Sequence, residues 1–224
     1  MTKCANNKEL AEKIKKILEL ERSPVAIKLV KKKEDIPSGI KSVEKEKRHC
    51  EMVEEASKGG KFYATCEYHL CKGGAGAIGI CEMPSKVKSG EFYLELGRFS
   101  SFPAANRCVN TIPKIKERFY ASVYAPLEEA DFDPDVVVII CKPNQAMKLV
   151  QALVYKLGER VTSDFSGIQS VCADAVAGPY TRGKPNFTLG CSGSRQYTGI
   201  KDEEIIVGLN GENLCCVVES LESI

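Results

Sequence analysis

Four cysteines occur as two similarly spaced pairs, one pair in each half of the chain. Twenty residues separate Cys50 from Cys71, and eighteen separate Cys172 from Cys191. The second cysteine of each pair is followed by small residues, in the sequences Cys-Lys-Gly-Gly and Cys-Ser-Gly-Ser. Four thiolates are the ligand number of a cubane iron–sulfur cluster or of a tetrahedral zinc ion. The spacing therefore predicts one metal centre bound by all four cysteines.

Five residues beside the second cysteines are predicted to line the same site. Small residues after a metal ligand allow the backbone to approach a cluster and to direct N–H groups at sulfur or at an anion. This role is predicted for Gly73, Gly74 and Gly193. Lys72 and Arg195 flank these glycines and are candidate contacts for a small anionic ligand. If no anion binds, the two cations would balance the negative charge of the thiolates.

Iron–sulfur and zinc binding are the two alternatives for this site. Structural zinc sites usually contain cysteines only a few residues apart, which neither main pair offers, whereas clusters often use distant cysteines. The sequence therefore favours a cluster, most simply 4Fe-4S, with zinc as the alternative. Four further residues lie near the first pair in sequence, and whether they join the site is left open: Cys66, Cys81, His49 and His69.

Composition and charge argue against several other classes of protein. Lys and Arg exceed Asp and Glu by only two in 224 residues, without the basic cluster that is typical of nucleic-acid binding. The longest apolar run, from Val136 to Cys141, is far too short to cross a bilayer. The eleven cysteines are unusual in a chain that is long enough to fold without disulfides. We therefore expect a cytoplasmic protein with neither nucleic acid nor membrane as a partner.

Alternating elements predict an α/β fold, with residues 1–224 in a single compact domain. Two similar α/β halves, 22–100 and 120–210, are predicted to place their cysteine pairs around one site. The glycine-rich segment 73–79 is predicted to be a loop, and segment 91–110 has no clear period. Apolar patterns predict helices and strands elsewhere, with helices over 8–20, 43–58, 145–157 and 212–220 and strands over 25–30, 62–65, 135–140 and 204–209.

The sequence also resembles a known family from about Arg22 to Gly208. Its specific motifs are Cys-Lys-Gly-Gly-Ala-Gly-Ala-Ile-Gly-Ile from Cys71, Gly-Cys-Ser-Gly-Ser-Arg ending at Arg195, and the strand Asp-Pro-Asp-Val-Val-Val from Asp133 with the Lys-Pro-Asn-Gln-Ala-Met that follows it. These motifs are similar to those of the prokaryotic domain-of-unknown-function family 169, common in anaerobic archaea and bacteria. The resemblance implies no assigned reaction, a metal or cluster role suspected from the cysteines, and four characteristic thiols: Cys50, Cys71, Cys172 and Cys191.

The expected function follows from the predicted metal centre. We expect an iron–sulfur protein that transfers electrons, or an oxidoreductase that uses its cluster for redox chemistry on a small molecule. The alternative is a zinc or soft-metal module for storage, delivery or sensing, without turnover. A structural cysteine-rich protein without metal is the third alternative. The expected partners are a redox protein or a small anionic ligand, and a homodimer is considered because two-fold homodimers are frequent.

Overall fold

A seven-stranded mixed sheet forms the centre of the fold, in a computed structural model that describes residues 6–156 and 158–224. The strands are β1 (Val25–Val30), β2 (Lys41–Ser42), β3 (Phe62–Thr65), β4 (Ala121–Pro126), β5 (Val136–Cys141), β6 (Asn186–Thr188) and β7 (Ile205–Asn210). Their order in the sheet is β2-β3-β4-β1-β5-β7-β6. The β2–β3 pair is parallel, and the other neighbouring pairs are antiparallel. The expected α/β class is confirmed.

Helices pack on both faces of this sheet. The α-helices of the described residues are α1 (Asn7–Leu18), α2 (His49–Ala56), α3 (Lys72–Ala77), α4 (Ser85–Ser89), α5 (Glu91–Glu95), α6 (Phe102–Thr111), α7 (Pro143–Tyr155), α8 (Gly178–Arg182), α9 (Ser192–Tyr197) and α10 (Leu214–Leu221). A π-helix, Ser170–Ala177, precedes α8. Within the described part of the chain, every helix is too short or too polar to span a bilayer.

The alternation of side chains along the strands produces two separate cores. In β1, Val25 and Ile27 point to one face and Ala26 and Val30 to the other, as the two-residue period of a strand requires. Apolar residues of α1, α7 and α10 fill the core on the Ala26 side. The opposite core, which we call the cysteine face, contains residues of α2, α3, α6 and the π-helix. The sheet therefore separates α2, α3 and the π-helix from α1, α7 and α10.

The strand order is symmetric about the central β1–β5 pair. From β1 the sheet continues outward through β4 and β3, and from β5 through β7 and β6, with antiparallel pairing throughout. Both parts follow the same order of strand, helix, strand, helix, strand when β2 and the remaining helices are left out. The first part is β1, α2, β3, α3, β4, and the second is β5, π-helix, β6, α9, β7. This order is compatible with the predicted halves, which remain a hypothesis, and it would assign β4 to the first half rather than to 120–210.

Several predicted element boundaries differ from the structure. The predicted helix 43–58 is helical only over α2, because the residues before it pair with β3 and His69. The predicted loop 73–79 is largely α3, whose glycines and alanines are buried, so that packing compensates for the low helix propensity of glycine. Segment 91–110 forms α5 and most of α6. The predicted domain includes residues 1–5, and the predicted helix 145–157 includes Leu157. These six residues lie outside the described residues.

Strand β7 and the π-helix touch backbone to backbone at Gly208. A Cβ atom at Gly208 would lie 1.9 Å from the carbonyl oxygen of Ala175, far inside van der Waals contact. The π-helix also carries Cys172, one turn before Ala175. The absence of a side chain at Gly208 therefore sets how closely this helix approaches the sheet.

We predict that Gly208→Ala destabilises the protein, because the added methyl group must push the π-helix away from β7. Overpacking of this severity costs about 3 kcal/mol of unfolding free energy. The matched control is Gly178→Ala, where the new Cβ would make ordinary contacts of 3.5 and 3.6 Å. Urea unfolding of both variants measures the effect, and equal stability of the two variants would contradict the close packing at Gly208.

Candidate metal centre

Four free cysteines from four helical segments meet on the cysteine face. Cys50 lies in the first turn of α2 and Cys172 in the π-helix, while Cys71 and Cys191 are the N-cap residues of α3 and α9. Helix α2 packs against α9, and both α2 and α3 pack against the π-helix. Burial raises the pKa of Cys172, and charges on Cys71, Cys191 and Cys50 would raise it further, as expected for thiols that share one region. The structure thus brings the four predicted thiols together, although 121 residues lie between Cys50 and Cys172.

Gly74 lies between two of these sulfurs. A Cβ atom at Gly74 would lie 3.3 Å from the Sγ atom of Cys172, which is tight, and would make an ordinary 3.6 Å contact with that of Cys71. Gly193 is less restricted, since its Cβ would make an ordinary 3.8 Å contact with the Sγ atom of Cys191. Gly73 faces Val87 and the Tyr93 hydroxyl rather than a cysteine sulfur. Gly74 is therefore the glycine that the close approach requires.

The two N-cap cysteines accept the same backbone hydrogen bond. The N–H group of Gly74 donates to the Sγ atom of Cys71 at 3.5 Å, and the N–H group of Ser194 donates to that of Cys191 at 3.4 Å. In each case the donor is three residues after the cysteine, the usual geometry of a helix N-cap. The predicted small-residue loops are thus helix starts, because the cysteine sulfur takes the place of a capping oxygen. Donors of this kind favour a thiolate over a thiol.

Burial opposes the ionisation of the two inner thiols. Desolvation, with added repulsion from Cys191 and Cys71, raises the pKa of Cys50 to about 12. Desolvation also holds the pKa of Cys172 well above its ordinary value, with added repulsion from the other three thiols. Without a cation among them, these two groups therefore stay protonated near neutral pH. Within residues 6–156 and 158–224, no group of three or more His, Cys, Asp or Glu side chains is placed so that it could hold a metal ion.

The two predicted cationic contacts are directed at backbone carbonyls. The ammonium group of Lys72 donates to the carbonyl oxygen of Cys66 at 2.6 Å. The guanidinium group of Arg195 donates to the carbonyl oxygens of three residues, Leu189, Lys201 and Glu204. Arg195 therefore braces the segments that flank α9, and this geometry gives no support to its predicted contact with an anion.

Cys66 and Cys81 form a disulfide with each other, with their Cα atoms 5.2 Å apart. The sequence left open whether these two residues add to the ligand set, and a disulfide was not expected in a chain of this length. The bond closes a loop that contains Cys71 and α3. In this oxidised form, neither sulfur is a thiolate that could bind a metal.

Both histidines are buried below the cysteines and bonded to β4. The Nδ1 atom of His49 lies 2.8 Å from the Tyr124 hydroxyl, and the Nε2 atom of His69 lies 3.0 Å from the Ser122 hydroxyl. Ser122 and Tyr124 are alternate residues of β4, so both point to the cysteine face. Burial lowers the pKa of each histidine to about 3. The imidazoles are therefore neutral groups of a buried polar layer, which sequence analysis missed because β4 was not assigned.

Tyr93 and Gln169 form a second buried polar pair at the site that sequence analysis did not find. The Nε2 atom of Gln169 donates to the Tyr93 hydroxyl at 2.8 Å. Burial raises the pKa of Tyr93, and charges on Cys172, Cys71 and Cys191 would raise it further. The Tyr93 hydroxyl faces Gly73, two residues after Cys71. Tyr93 lies in a segment without a clear sequence period, so no pattern in the sequence could connect it with the cysteines.

We predict that the thiols of the metal-free, folded protein differ widely in reactivity. Cys71 is exposed, whereas Cys172 is buried with a strongly raised pKa. Because the thiolate is the nucleophile, iodoacetamide at pH 8 should label Cys71 at least about 100-fold faster than Cys172. Peptide mass spectrometry after timed labelling measures both rates, with buried Cys141 as an internal control that should also react slowly. Equal rates at Cys71 and Cys172 would contradict the burial of the inner thiol.

We also predict that the metal-free protein loses stability as the pH falls below about 6.5, the unfolded-state pKa of histidine. Folded His69 has a pKa of about 3, so between these values only the unfolded chain binds the proton. Stability must therefore fall with falling pH in this range. The gap in unfolding free energy between wild type and His69→Gln should narrow by about 2 kcal/mol from pH 7 to pH 5. A gap that stays constant in urea unfolding at the two pH values would show that folded His69 titrates normally.

Comparison with known proteins gives a family without an assigned activity. The family model described as Uncharacterised ArCR, DUF169, matches residues 13–220. A protein of Methanocaldococcus jannaschii named Uncharacterized protein MJ0308 is 50% identical over 217 residues, which cover 96% of this chain and 93% of the relative. No solved structure matches the chain significantly. The match spans all four clustered cysteines and both buried polar pairs, and the chain belongs to the DUF169 family.

Proposed function

We propose that this protein binds an iron–sulfur cluster through Cys50, Cys71, Cys172 and Cys191 and uses it for electron transfer or for redox chemistry on a small molecule. The observation that carries the proposal is the meeting of four free thiols from four helical segments on one face of the sheet. Four thiolates are the usual protein ligands of a 4Fe-4S cluster.

The electrostatics of the four thiols support a cationic centre between them. Each ionised thiol makes ionisation of its buried neighbours less favourable, and burial adds to this cost for Cys50 and Cys172. A metal centre reverses this balance, because it stabilises the thiolates directly and binding releases their protons. Clustered thiols with raised pKa values are therefore a reasonable arrangement for a protein that binds metal after folding.

The exposure of the thiols supports a redox role rather than a purely structural one. Cys172 is buried while Cys71 is exposed, so a centre held by both would extend from the core to the surface. When bound, the cluster would supply one-electron transfer. The N–H groups of Gly74 and Ser194 would stabilise the charge on two ligands. A redox partner protein could approach from the Cys71 side. We also propose a cytoplasmic location, where reduced thiols persist.

Zinc binding, for delivery or sensing, is the second candidate. It is favoured by one observation, the sulfurs of Cys71 and Cys172 lying within 3.6 Å of a common point beside Gly74. A tetrahedral zinc ion binds each thiolate at about 2.3 Å, so these two sulfurs could share one ion only where they lie within about 4.6 Å of each other. The experiment below separates the two metals by their composition.

The test is anaerobic purification followed by measurement of iron, acid-labile sulfide and zinc per chain. We predict about four iron and four sulfide in the wild type, as expected for a 4Fe-4S cluster. Cys71→Ser and Cys191→Ser should each lose more than half of both. The matched controls are Cys108→Ser and Cys216→Ser, which replace free cysteines outside the group of four thiols. Both variants should keep the iron and sulfide content of the wild type.

Three outcomes decide between the candidates. Iron and sulfide that depend on Cys71 and Cys191, together with broad visible absorption, support the cluster. Stoichiometric zinc without sulfide, with the same dependence on these cysteines, supports the second candidate and overturns the first. Metal content that is the same in all five proteins, or no metal in any of them after reconstitution with iron and sulfide, overturns the site itself.

A further inference from the structure

We propose that the Tyr93–Gln169 pair donates a hydrogen bond to a sulfur atom of the metal centre and thereby raises its reduction potential. This inference rests on the proposed function, and it assigns the two residues as positioning residues rather than catalytic ones. It comes from the hydrogen bonding of the pair, from its place beside the thiols, and from the backbone conformation of Gln169.

The pair lies against the start of helix α3, directly after Cys71. A Cβ atom at Gly73 would lie 3.8 Å from the Tyr93 hydroxyl oxygen, so this oxygen faces the first turn of α3. Both side chains are buried, with 8% of Tyr93 and 6% of Gln169 exposed. Gln169 immediately precedes the π-helix, three residues before Cys172. The pair therefore lies between the segments that supply Cys71 and Cys172.

The pair keeps two hydrogen-bond donors for which the described residues supply no acceptor, the second amide N–H of Gln169 and the O–H of Tyr93. Gln169 Nε2 donates to the Tyr93 oxygen, which leaves the O–H group of Tyr93 to donate elsewhere. The Oε1 atom of Gln169 is buried and has no partner. If the amide is rotated by half a turn, Oε1 accepts from Tyr93 and the amide N–H groups become the unused donors. In either orientation a buried donor remains beside the sulfurs, and thiolate or sulfide sulfur would accept it.

The backbone of Gln169 supports a functional reason for its position. Its φ of 51° is in the left-handed region, where residues other than glycine are uncommon. Among the described residues only Glu19 shares this conformation, and Glu19 is an ordinary helix C-cap. Gln169 instead begins a π-helix, and π-helical turns and strained residues are frequent at functional sites. The left-handed backbone of Gln169 is explained if this conformation positions the side-chain amide for its hydrogen bond with Tyr93.

A hydrogen bond to cluster sulfur changes the redox balance in a known direction. The reduced state carries one more negative charge on iron and sulfur, so a donor stabilises it more than the oxidised state. Removal of the donor should therefore lower the reduction potential without removing the ligands. This separates a positioning role from a merely structural one, which would lower cluster content or stability instead.

The experiment compares reduction potentials of the reconstituted wild type, Tyr93→Phe and Gln169→Asn. Asparagine keeps an amide and tolerates a left-handed backbone, but it is one methylene too short to reach Tyr93. Both variants should keep wild-type iron and sulfide content. Each variant should have a lower reduction potential than the wild type. At a fixed solution potential, the ratio of oxidised to reduced cluster should rise by up to tenfold, which corresponds to a decrease of up to about 59 mV for one electron. Tyr120→Phe, a change at an exposed tyrosine, is the matched control and should cause no shift.

A second measurement covers the case in which Tyr93→Phe assembles poorly. Iron–sulfur stretching frequencies of the wild type should shift in D₂O through the exchangeable donor, and Gln169→Asn should reduce that shift. A cluster in the wild type with unchanged potentials and unchanged D₂O shifts in both variants would overturn this inference alone. No cluster in the wild type would overturn the proposed function and this inference together.

Discussion

The cost of ionising several thiols side by side in a poorly solvated place is the constraint on which this structure depends. Helices α2, α3, α9 and the π-helix all direct a cysteine to the same region, where burial and repulsion hold the inner thiols in their neutral form. Neutral thiols are buried easily, but thiolates in this place would be costly without a cation among them. The backbone donors at Cys71 and Cys191, and the glycine between Cys71 and Cys172, are best understood as compensation for thiolates.

The sheet explains how residues so distant in sequence meet. Apart from the edge strand β2, the central β1–β5 pair joins two three-stranded parts, and each part is connected to helices that carry one cysteine pair. The first cysteine of each pair lies within a helix, and the second caps the helix that follows a short strand. β4 adds the neutral histidine layer beneath this arrangement through Ser122 and Tyr124. Packing on one face of the sheet therefore serves both the stability of the core and the geometry of the thiols.

The sequence predicts the elements whose periodicity is strong and the residues whose chemistry is rare. The strands β1 and β5 and the helices α1 and α7 follow directly from apolar patterns, and the four cysteines are conspicuous by type and spacing. Glycine-rich α3 could not be predicted, because tertiary burial overrides the low helix propensity of glycine. Tyr93 and Gln169 could not be predicted either, since their pairing crosses 76 residues and depends on a left-handed backbone. The sequence predicted that Arg195 contacts an anionic ligand, because it lies near Cys191. Its guanidinium group instead donates to backbone carbonyl oxygens of the neighbouring segments, which only the folded structure reveals.

The distribution of the four thiols along the chain has a consequence for biosynthesis. Ribosomes add about 5 to 20 residues per second, so Cys191 emerges about 7 to 30 s after Cys50. Throughout this interval the nascent chain lacks at least one of the four cysteines. Strand β7, which pairs with β5 and β6, has not yet been synthesised. If the protein binds the proposed metal centre, metal capture or oxidation before this point would trap an unfinished chain. Loading would then have to follow synthesis of the second half of the protein.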